Sequence, residues 1–109
     1  MTYQDIFNMV SAAGIPASYF KFPDKDVPEP PFIVFSYPET APESADNINY
    51  CTIVHLTVSL YTANKDVLTE ATLEEVFNNY HFVYIKSESY IFIDDMYEVS
   101  YEGDVIING

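Results

Sequence analysis

Residues 50–62 read YCTIVHLTVSLYT, and this stretch decides the fold. Hydrophobic residues alternate with other residues along it, a pattern typical of a half-buried β-strand. One predicted face is purely aliphatic: Val54, Leu56, Val58 and Leu60. The other face carries Cys51, Ile53, His55, Thr57, Ser59 and Tyr61. At about 3.3 Å per residue the strand would be about 40 Å long, more than most strands in small domains. We therefore predict that it is the central strand of one antiparallel sheet.

The size and composition of the chain are typical of one folded domain, residues 1–109. Hydrophobic residues make up 49% of the sequence, enough for a core, which argues against global disorder. Four Lys and Arg stand against seventeen Asp and Glu, so the net charge is -13. Specific binding of nucleic acid or of an anionic membrane requires cationic side chains, and this charge argues against both.

The sequence also predicts where the protein is found. The single cysteine cannot form an internal disulfide, which fits a reducing compartment. The amino terminus lacks the pattern of a signal peptide, and no stretch approaches the ~20 apolar residues that span a bilayer. We expect a soluble, cytosolic, acidic domain.

A helix is predicted at the amino terminus. Thr2 can cap its first turn, and Asp5, three residues later, completes a variant of the capping box. Apolar residues that recur at helical spacing are expected to pack on the sheet: Ile6, Met9, Val10 and Ala13. Gly14 is expected to end the helix, because glycine readily adopts the left-handed conformation that follows many helices.

A second helix is predicted from Thr62 or Asn64 to about residue 79, where the hydrophobic period changes from 2 to 3.6. The residues expected to face the sheet are Val67, Leu68, Ala71, Val76 and Phe77. Those expected to face water are Glu70, Glu74 and Glu75.

Further strands are predicted at residues 18–22, 32–37, 82–86, 90–93 and 96–107. In the last of these, one face carries Tyr97, Val99, Tyr101 and Val105. The opposite face carries Glu98, Ser100, Glu102 and Asp104, so Glu98, Glu102 and Asp104 form an acidic stripe. The predicted fold class is α+β: an antiparallel or mixed sheet of four to five strands, with two α-helices packed on it.

Residues 38–49, PETAPESADNIN, are predicted to form a loop before the central strand. The segment is much longer than the usual hairpin connection of about two to five residues, so it is either functional or disordered. Its candidate assembly residues are Pro38, Glu39, Pro42, Glu43, Asp46 and Asn47.

Candidate catalytic and metal-binding groups are few. Cys51 and His55 have a C-x-x-x-H spacing, but on a strand they lie about 13 Å apart, too far for a shared zinc ion. Asp94 and Asp95 are adjacent in a predicted extended stretch, so their carboxylates should point to opposite faces. The chain has only three glycines and no phosphate-binding loop. We predict a protein without enzyme activity, metal or cofactor.

Several stretches of the sequence carry a resemblance to a known family. In order, they are AAGIP, SYFKFP, PEPPFIVFSY, SADNINY, LYT, the NKD helix entry with Glu70 and Glu74, and IDDMYEVSYEGDV. Their order and spacing, from Tyr3 to Val105, resemble the tail terminator, or tail completion, proteins of siphophages and prophages of Gram-positive bacteria. No single stretch is specific, so the resemblance rests on the arrangement as a whole.

The resemblance implies a structural protein that forms a hexameric ring on the end of the tail tube, stops tube polymerisation and joins the tail to the head. The implied partners are further copies of the chain, the tail tube protein and the head connector or adaptor proteins. The implied location is the host cytoplasm during assembly and then the virion neck. A net charge of -13 fits a ring through which DNA passes, because an anionic lining repels phosphate, although acidic residues also simply increase solubility. The segment 38–49 would then contact an adjacent subunit or the tube.

Two alternatives remain. One is a DNA-mimic inhibitor, in which the acidic stripe imitates phosphates, since residues on one strand face repeat every ~6.6 Å. The other is a different neck protein of the same particle, such as a head-closure or adaptor protein.

Overall fold

The computed structural model describes residues 1–23, 27–42 and 51–108; of residues 38–42, 51 and 108 it describes the backbone alone. The elements are α1 (Tyr3–Ser11), β1 (Ala17–Tyr19), β2 (Phe32–Pro42), β3 (Cys51–Thr62), α2 (Val67–Asn79), β4 (Ile85–Ile91) and β5 (Met96–Asn108). They form one mixed five-stranded sheet with two helices, which confirms the predicted α+β class.

β3 lies in the middle of the sheet, whose strand order is β1-β2-β3-β5-β4. It pairs antiparallel with β2 on one side and with β5 on the other, and β4 pairs antiparallel with β5. β1 pairs parallel with β2. The central position predicted for this stretch is therefore confirmed for Cys51–Thr62. The aliphatic side chains of its inner face are fully buried: Val54, Leu56, Val58 and Leu60.

Both helices pack on the same face of the sheet. Ile6, Met9 and Val10 of α1 and Leu73 and Phe77 of α2 lie in one buried cluster with the inner side chains of β2, β3 and β5. An antiparallel sheet can present its other face to water when only one face is covered. We call this second face the open face. Among the described residues it carries Phe32, Val34, His55, Thr57, Ser59, Tyr61, Glu98, Ser100, Glu102 and Asp104.

α1 begins with the capping box that the sequence predicts. The backbone N–H of Asp5 donates to Thr2 Oγ1 at 3.1 Å, and the N–H of Thr2 donates to Asp5 Oδ2 at 2.8 Å. The helix ends at Ser11, and Gly14 follows it with a left-handed φ of 78°. The start of α1 is thus set by the residues that the sequence singles out, whereas its end lies earlier than predicted, with Ala12 as C-cap and Gly14 two residues further on.

Replacing Thr2 with alanine is expected to lower the free energy of unfolding by about 1 kcal/mol, because the N–H of Asp5 loses its acceptor. Urea denaturation measures the change. Thr2→Ser keeps the hydroxyl and should retain most of the stability; an equal loss in both variants would contradict the capping role.

The predicted orientation of α2 is wrong in the first half of the helix, whereas Phe77 is buried and Val76 packs against the core as predicted. The helix begins at Val67 with Asp66 as N-cap, whose carboxylate accepts a hydrogen bond from Thr69 N at 3.1 Å. Val67 and Leu68 are 62% and 81% exposed, and Ala71 is exposed too, whereas Glu70 is only 2% exposed. The buried side chains of the helix are Glu70, Leu73 and Phe77. Burial of Glu70 is tolerated because two lysines reach its carboxylate, a contact that the spacing of apolar residues does not reveal.

The predicted strands at 82–86 and 90–93 are also wrong in their bounds. β4 is one strand that a turn joins to β5, so these two strands form a hairpin. Phe82 lies before the hairpin and is buried in the core. Phe92 and Ile93 lie in the turn, where they are 84% and 95% exposed. An apolar run at a hairpin tip resembles a strand in sequence, because composition alone does not show where a chain reverses.

Candidate functional site

The acidic stripe of Glu98, Glu102 and Asp104 lies on the open face, along β5. Its carboxylates are not equivalent. Glu98 accepts hydrogen bonds from Tyr61 Oη at 3.2 Å and from Ser89 Oγ at 3.3 Å. The other two carboxylates face His55 on the neighbouring strand. The stripe therefore consists of one carboxylate held by hydroxyl groups and two held by an imidazole.

His55 lies directly opposite Asp104 in the β3–β5 register. Its Nδ1 is 3.1 Å from Asp104 Oδ1, and its Nε2 is 3.1 Å from Glu102 Oε1. Carboxylates only accept hydrogen bonds, so both ring nitrogens are satisfied only when the imidazole carries two protons. The hydrogen bond to Asp104 contributes most, and that to Glu102 next, to raising the pKa of His55 above its ordinary value. When His55 is protonated, it forms an ion cluster with Glu102 and Asp104 at the surface, and we call these three residues the trio.

The sequence does not predict the trio, because its spacing pairs His55 with Cys51 alone. The alternation of β3 and β5 predicts which face each side chain occupies. It does not predict that these strands are neighbours, nor which residues stand opposite each other. The only signal in the sequence is that His55 lies on the more polar face of one predicted strand, while Glu102 and Asp104 lie on the polar face of another.

A cleft of about 360 Å³ lies beside this trio, where β4 begins. We call it the His55 cleft; it is lined by His55, Val83, Tyr84, Ile85, Glu102, Gly103 and Asp104. Gly103 allows the segment before β4 to lie close against β5, because a Cβ on residue 103 would be 2.1 Å from the carbonyl oxygen of Val83. The cleft thus has an apolar wall from residues 83–85 and an anionic wall from β5.

A second cleft, of about 460 Å³, lies towards the other end of the open face. It is mainly apolar and is lined by Phe20, Lys21, Phe22, Val27, Phe32, Val34, Tyr61, Ile91, Asp94 and Met96. The rings of Phe32 and Tyr61 stack with centroids 5.1 Å apart, and Phe22 meets Phe32 edge-on at 5.5 Å. Burial, and then the nearby Glu98 carboxylate, raise the pKa of Tyr61, so its phenol remains protonated at neutral pH.

A further ion cluster connects α2 to β4 on the covered face. The Nζ of Lys86 is 2.9 Å from Glu70 Oε1 and 2.7 Å from Glu74 Oε2. Lys65 Nζ donates to Glu70 Oε1 at 3.0 Å and lies 2.8 Å from Oε2, an ion pair without hydrogen-bond geometry at that oxygen. Tyr101 Oη donates to Glu74 Oε2 at 2.8 Å. The cluster thus joins the helix to the β4–β5 hairpin.

The charges in this cluster hold one another in the ionised state. Burial alone would raise the pKa of Glu70, but the hydrogen bonds from Lys65 and Lys86 outweigh it, so the pKa is lowered. Hydrogen bonds to Glu74 and Glu70 raise the pKa of Lys86. The pKa of Tyr101 is raised by burial and by its bond to Glu74. With its charges paired around the buried Glu70 carboxylate, the cluster is a structural tie.

Comparison of the sequence with family models and with curated proteins gives no family for this chain. No protein-family model matches the chain, and no curated protein matches it. The function is therefore argued from the residues and their geometry.

The predicted loop at 38–49 needs a correction. Residues 38–42, including Pro38, Glu39 and Pro42, belong to β2, whose backbone pairs with β3 as far as Pro42 opposite Thr52. A shift of register between Ser36 and Glu39 accommodates Pro38, because a bulge tolerates a residue that donates no ladder hydrogen bond. The remaining candidate assembly residues lie outside the described part of the chain: Glu43, Asp46 and Asn47.

The acids at the hairpin tip are also placed differently from the prediction. Asp94 and Asp95 lie in a turn, where Asp95 has a φ of 51° and accepts a hydrogen bond from Tyr90 Oη. These two residues are therefore not extended, and the predicted alternation of their side chains is wrong. Within residues 1–23, 27–42 and 51–108, no group of three or more His, Cys, Asp or Glu residues could hold a metal ion. The side chain of Cys51 lies outside the description.

None of the described helices is long and apolar enough to cross a membrane.

Proposed function

We propose that this protein is a structural component of a phage or prophage neck. It forms a ring on the end of the tail tube, ends tube polymerisation and joins the tail to the head connector. The role is non-catalytic and needs no cofactor. Its partners are further copies of the chain, the tail tube protein and the connector or adaptor proteins. The phage role is supported by the order of sequence stretches from Tyr3 to Val105, and assembly is supported by the surface of the folded chain.

The observation that carries the assembly role is the apolar tip of the β4–β5 hairpin. Phe92 and Ile93 project there with 84% and 95% exposure, and the ring of Tyr90 meets that of Phe92 at 4.9 Å. Burying such a side chain contributes about 1.5–3 kcal/mol. A contiguous apolar projection on a chain of net charge -13 is expected to be covered by a partner.

The test is complementation of phage particles that lack this chain. The double variant Phe92→Ser, Ile93→Ser should remain folded, because both side chains are exposed. In electron micrographs, particles complemented with it should show tails of irregular length or tails without heads, whereas the wild-type chain should restore normal particles.

The matched control is the double variant Ser87→Ala, Ser89→Ala, which changes exposed polar residues of the same hairpin and should restore normal particles. Normal particles in the complete absence of the chain would refute the neck role. Normal particles with the tip variant would refute only the role of the tip. Density for the chain at a different level of the neck would indicate the head-closure or adaptor protein instead.

A second candidate function, inhibition by DNA mimicry, is favoured by the position of the acidic stripe. Glu98, Glu102 and Asp104 lie on the open face, where a DNA-binding protein could reach them. Protonated His55 offsets part of this charge, which makes the stripe a weaker imitation of phosphate. Competition of the chain with duplex DNA for a DNA-binding enzyme, abolished by Glu98→Gln, would support this candidate over the neck role.

A further inference from the structure

We propose that the His55 cleft binds an arginine side chain of a partner protein, and that His55 competes with this arginine for the same two carboxylates. The inference concerns the chemistry of the partner and does not depend on the proposed neck function. It follows from the apolar wall, the anionic wall and the position of the imidazole between the two carboxylates.

The apolar wall is open to solvent. Val83 and Ile85 are 82% and 78% exposed, although they flank a cleft of about 360 Å³. Tyr84 between them is anchored, since its ring packs against those of Phe77 and Tyr101 at 5.4 and 5.1 Å. The wall is therefore held in place by the core and offers exposed aliphatic surface. Such a surface suits the aliphatic stem of a long side chain with a polar end.

The anionic wall determines which terminal group of the partner's side chain can bind. Glu102 and Asp104 are both exposed and line the cleft. An acidic partner would be repelled, and a purely apolar one would bury two carboxylates that share a single hydrogen-bonding side chain, His55, among the described residues. A guanidinium offers several N–H donors in a planar fork that matches carboxylate oxygens, which a lysine ammonium does not. The net charge of -13 also favours the approach of a basic partner.

His55 already occupies the place of a cation in the cleft. As an imidazolium it donates to both carboxylates at 3.1 Å, as a guanidinium would. As a neutral ring it has one donor, and its other nitrogen turns a lone pair towards a carboxylate. An arriving guanidinium should therefore displace the imidazolium and release a proton. The arginine site and the protonated histidine exclude each other.

Other charges near His55 set the background for this exchange. Glu39 of β2 stands opposite His55 in the β2–β3 register. On the far side of Asp104, a neighbouring cleft includes His81 and Met1, whose terminal amine donates to Ile106 O at 3.4 Å. The amine and His81 lie beyond Asp104. Among the described residues, His55 is the basic side chain that contacts Glu102.

The sign of the pH dependence follows from the protonation of His55. Its pKa is raised above the ordinary value of about 6.5, so the competitor is present below that raised pKa and absent above it. Binding of a guanidinium should be strongest at alkaline pH. Well below the raised pKa it should weaken about tenfold per pH unit, because each binding event then releases one proton.

The experiment is an NMR titration of the protein with N-acetylarginine methylamide, with the neutral isostere N-acetylcitrulline methylamide as control. The arginine probe should cause saturable shifts in the amide signals of residues 83–85 and 102–104, larger at alkaline than at mildly acidic pH. It should also lower the pKa read from the His55 ring protons. His81, the other histidine of the chain, serves as internal reference. Equal shifts with the citrulline probe, or none with arginine, would overturn the proposal.

Three variants test the roles of the individual side chains. His55→Gln keeps both carboxylates and should bind the probe with little dependence on pH. The double variant Glu102→Gln, Asp104→Asn should lose binding. Glu98→Gln, on the same strand but outside the cleft, should bind as the wild type does. Equal loss of binding in Glu98→Gln would show a general attraction to an acidic surface and would refute a site at His55, as would a persistent pH dependence in His55→Gln.

Discussion

Replacing Lys86 with methionine is expected to lower the free energy of unfolding by about 3 kcal/mol. Methionine keeps much of the apolar stem but removes the ammonium group that lies 2.9 Å from Glu70 and 2.7 Å from Glu74. Removing one partner of a buried ion pair costs ~3–5 kcal/mol, because the other charge remains buried. We expect the lower end of this range, since Lys65 also contacts Glu70. Urea denaturation followed by circular dichroism measures the loss.

The loss should shrink in acid. The pKa of Glu70 is lowered in the folded protein, so its ionised form stabilises the fold above the unfolded-state pKa of about 4.3, and this contribution disappears as pH falls through the lowered value. The control is Lys21→Met, an exposed lysine whose loss should change stability by at most about 0.5 kcal/mol. A cost as large for Lys21→Met, or one for Lys86→Met that stays constant into acid, would contradict this account.

Gly103→Ala should destabilise the protein by a similar amount, about 3 kcal/mol. The added Cβ would lie 2.1 Å from the carbonyl oxygen of Val83 and 2.9 Å from a ring carbon of Phe82. Overpacking usually costs ~1–3 kcal/mol, and the upper end applies because the obstacle is backbone and cannot rotate away. Urea denaturation again gives the change.

Gly14→Ala is the matched comparison. Gly14 has a left-handed φ of 78°, but an added Cβ would meet nothing within 4 Å, so the cost should be conformational only, about 1–2 kcal/mol. If Gly14→Ala were the more damaging of the two, crowding at Gly103 would not be the reason for a glycine there.

The parts of the fold that the sequence predicts correctly depend on local patterns. The period-2 alternation of residues 50–62 was sufficient to identify a central strand, because its buried face is uniformly aliphatic. The start of α1 followed from Thr2 and Asp5, three residues apart. In each case the residues that determine the structure lie within one element, and the pattern has no competing interpretation.

The incorrect predictions arise where contacts between residues far apart in the sequence determine the structure. Glu70 is buried because Lys86, from another element, compensates its charge, so a scale that treats glutamate as exposed predicts the wrong burial for Glu70 and for the first half of α2. His55 meets Glu102 and Asp104 only through the register of β3 on β5, across 47 and 49 residues of sequence. Periodicity describes each strand separately and is silent on which strands become neighbours.

The outer edge of β2 limits how copies of this chain can join. Among the residues that the structure describes, β1 covers it only at Ile33–Phe35, while β2 continues to Pro42. An uncovered strand edge normally invites edge-to-edge pairing, and through it amyloid-like aggregation. Here Pro38 and Pro42 supply no N–H for a new ladder, and the bulge breaks the row of donors and acceptors between them and the paired segment. A concentrated solution of the protein should therefore resist fibril formation, and contacts between copies should be made by side chains.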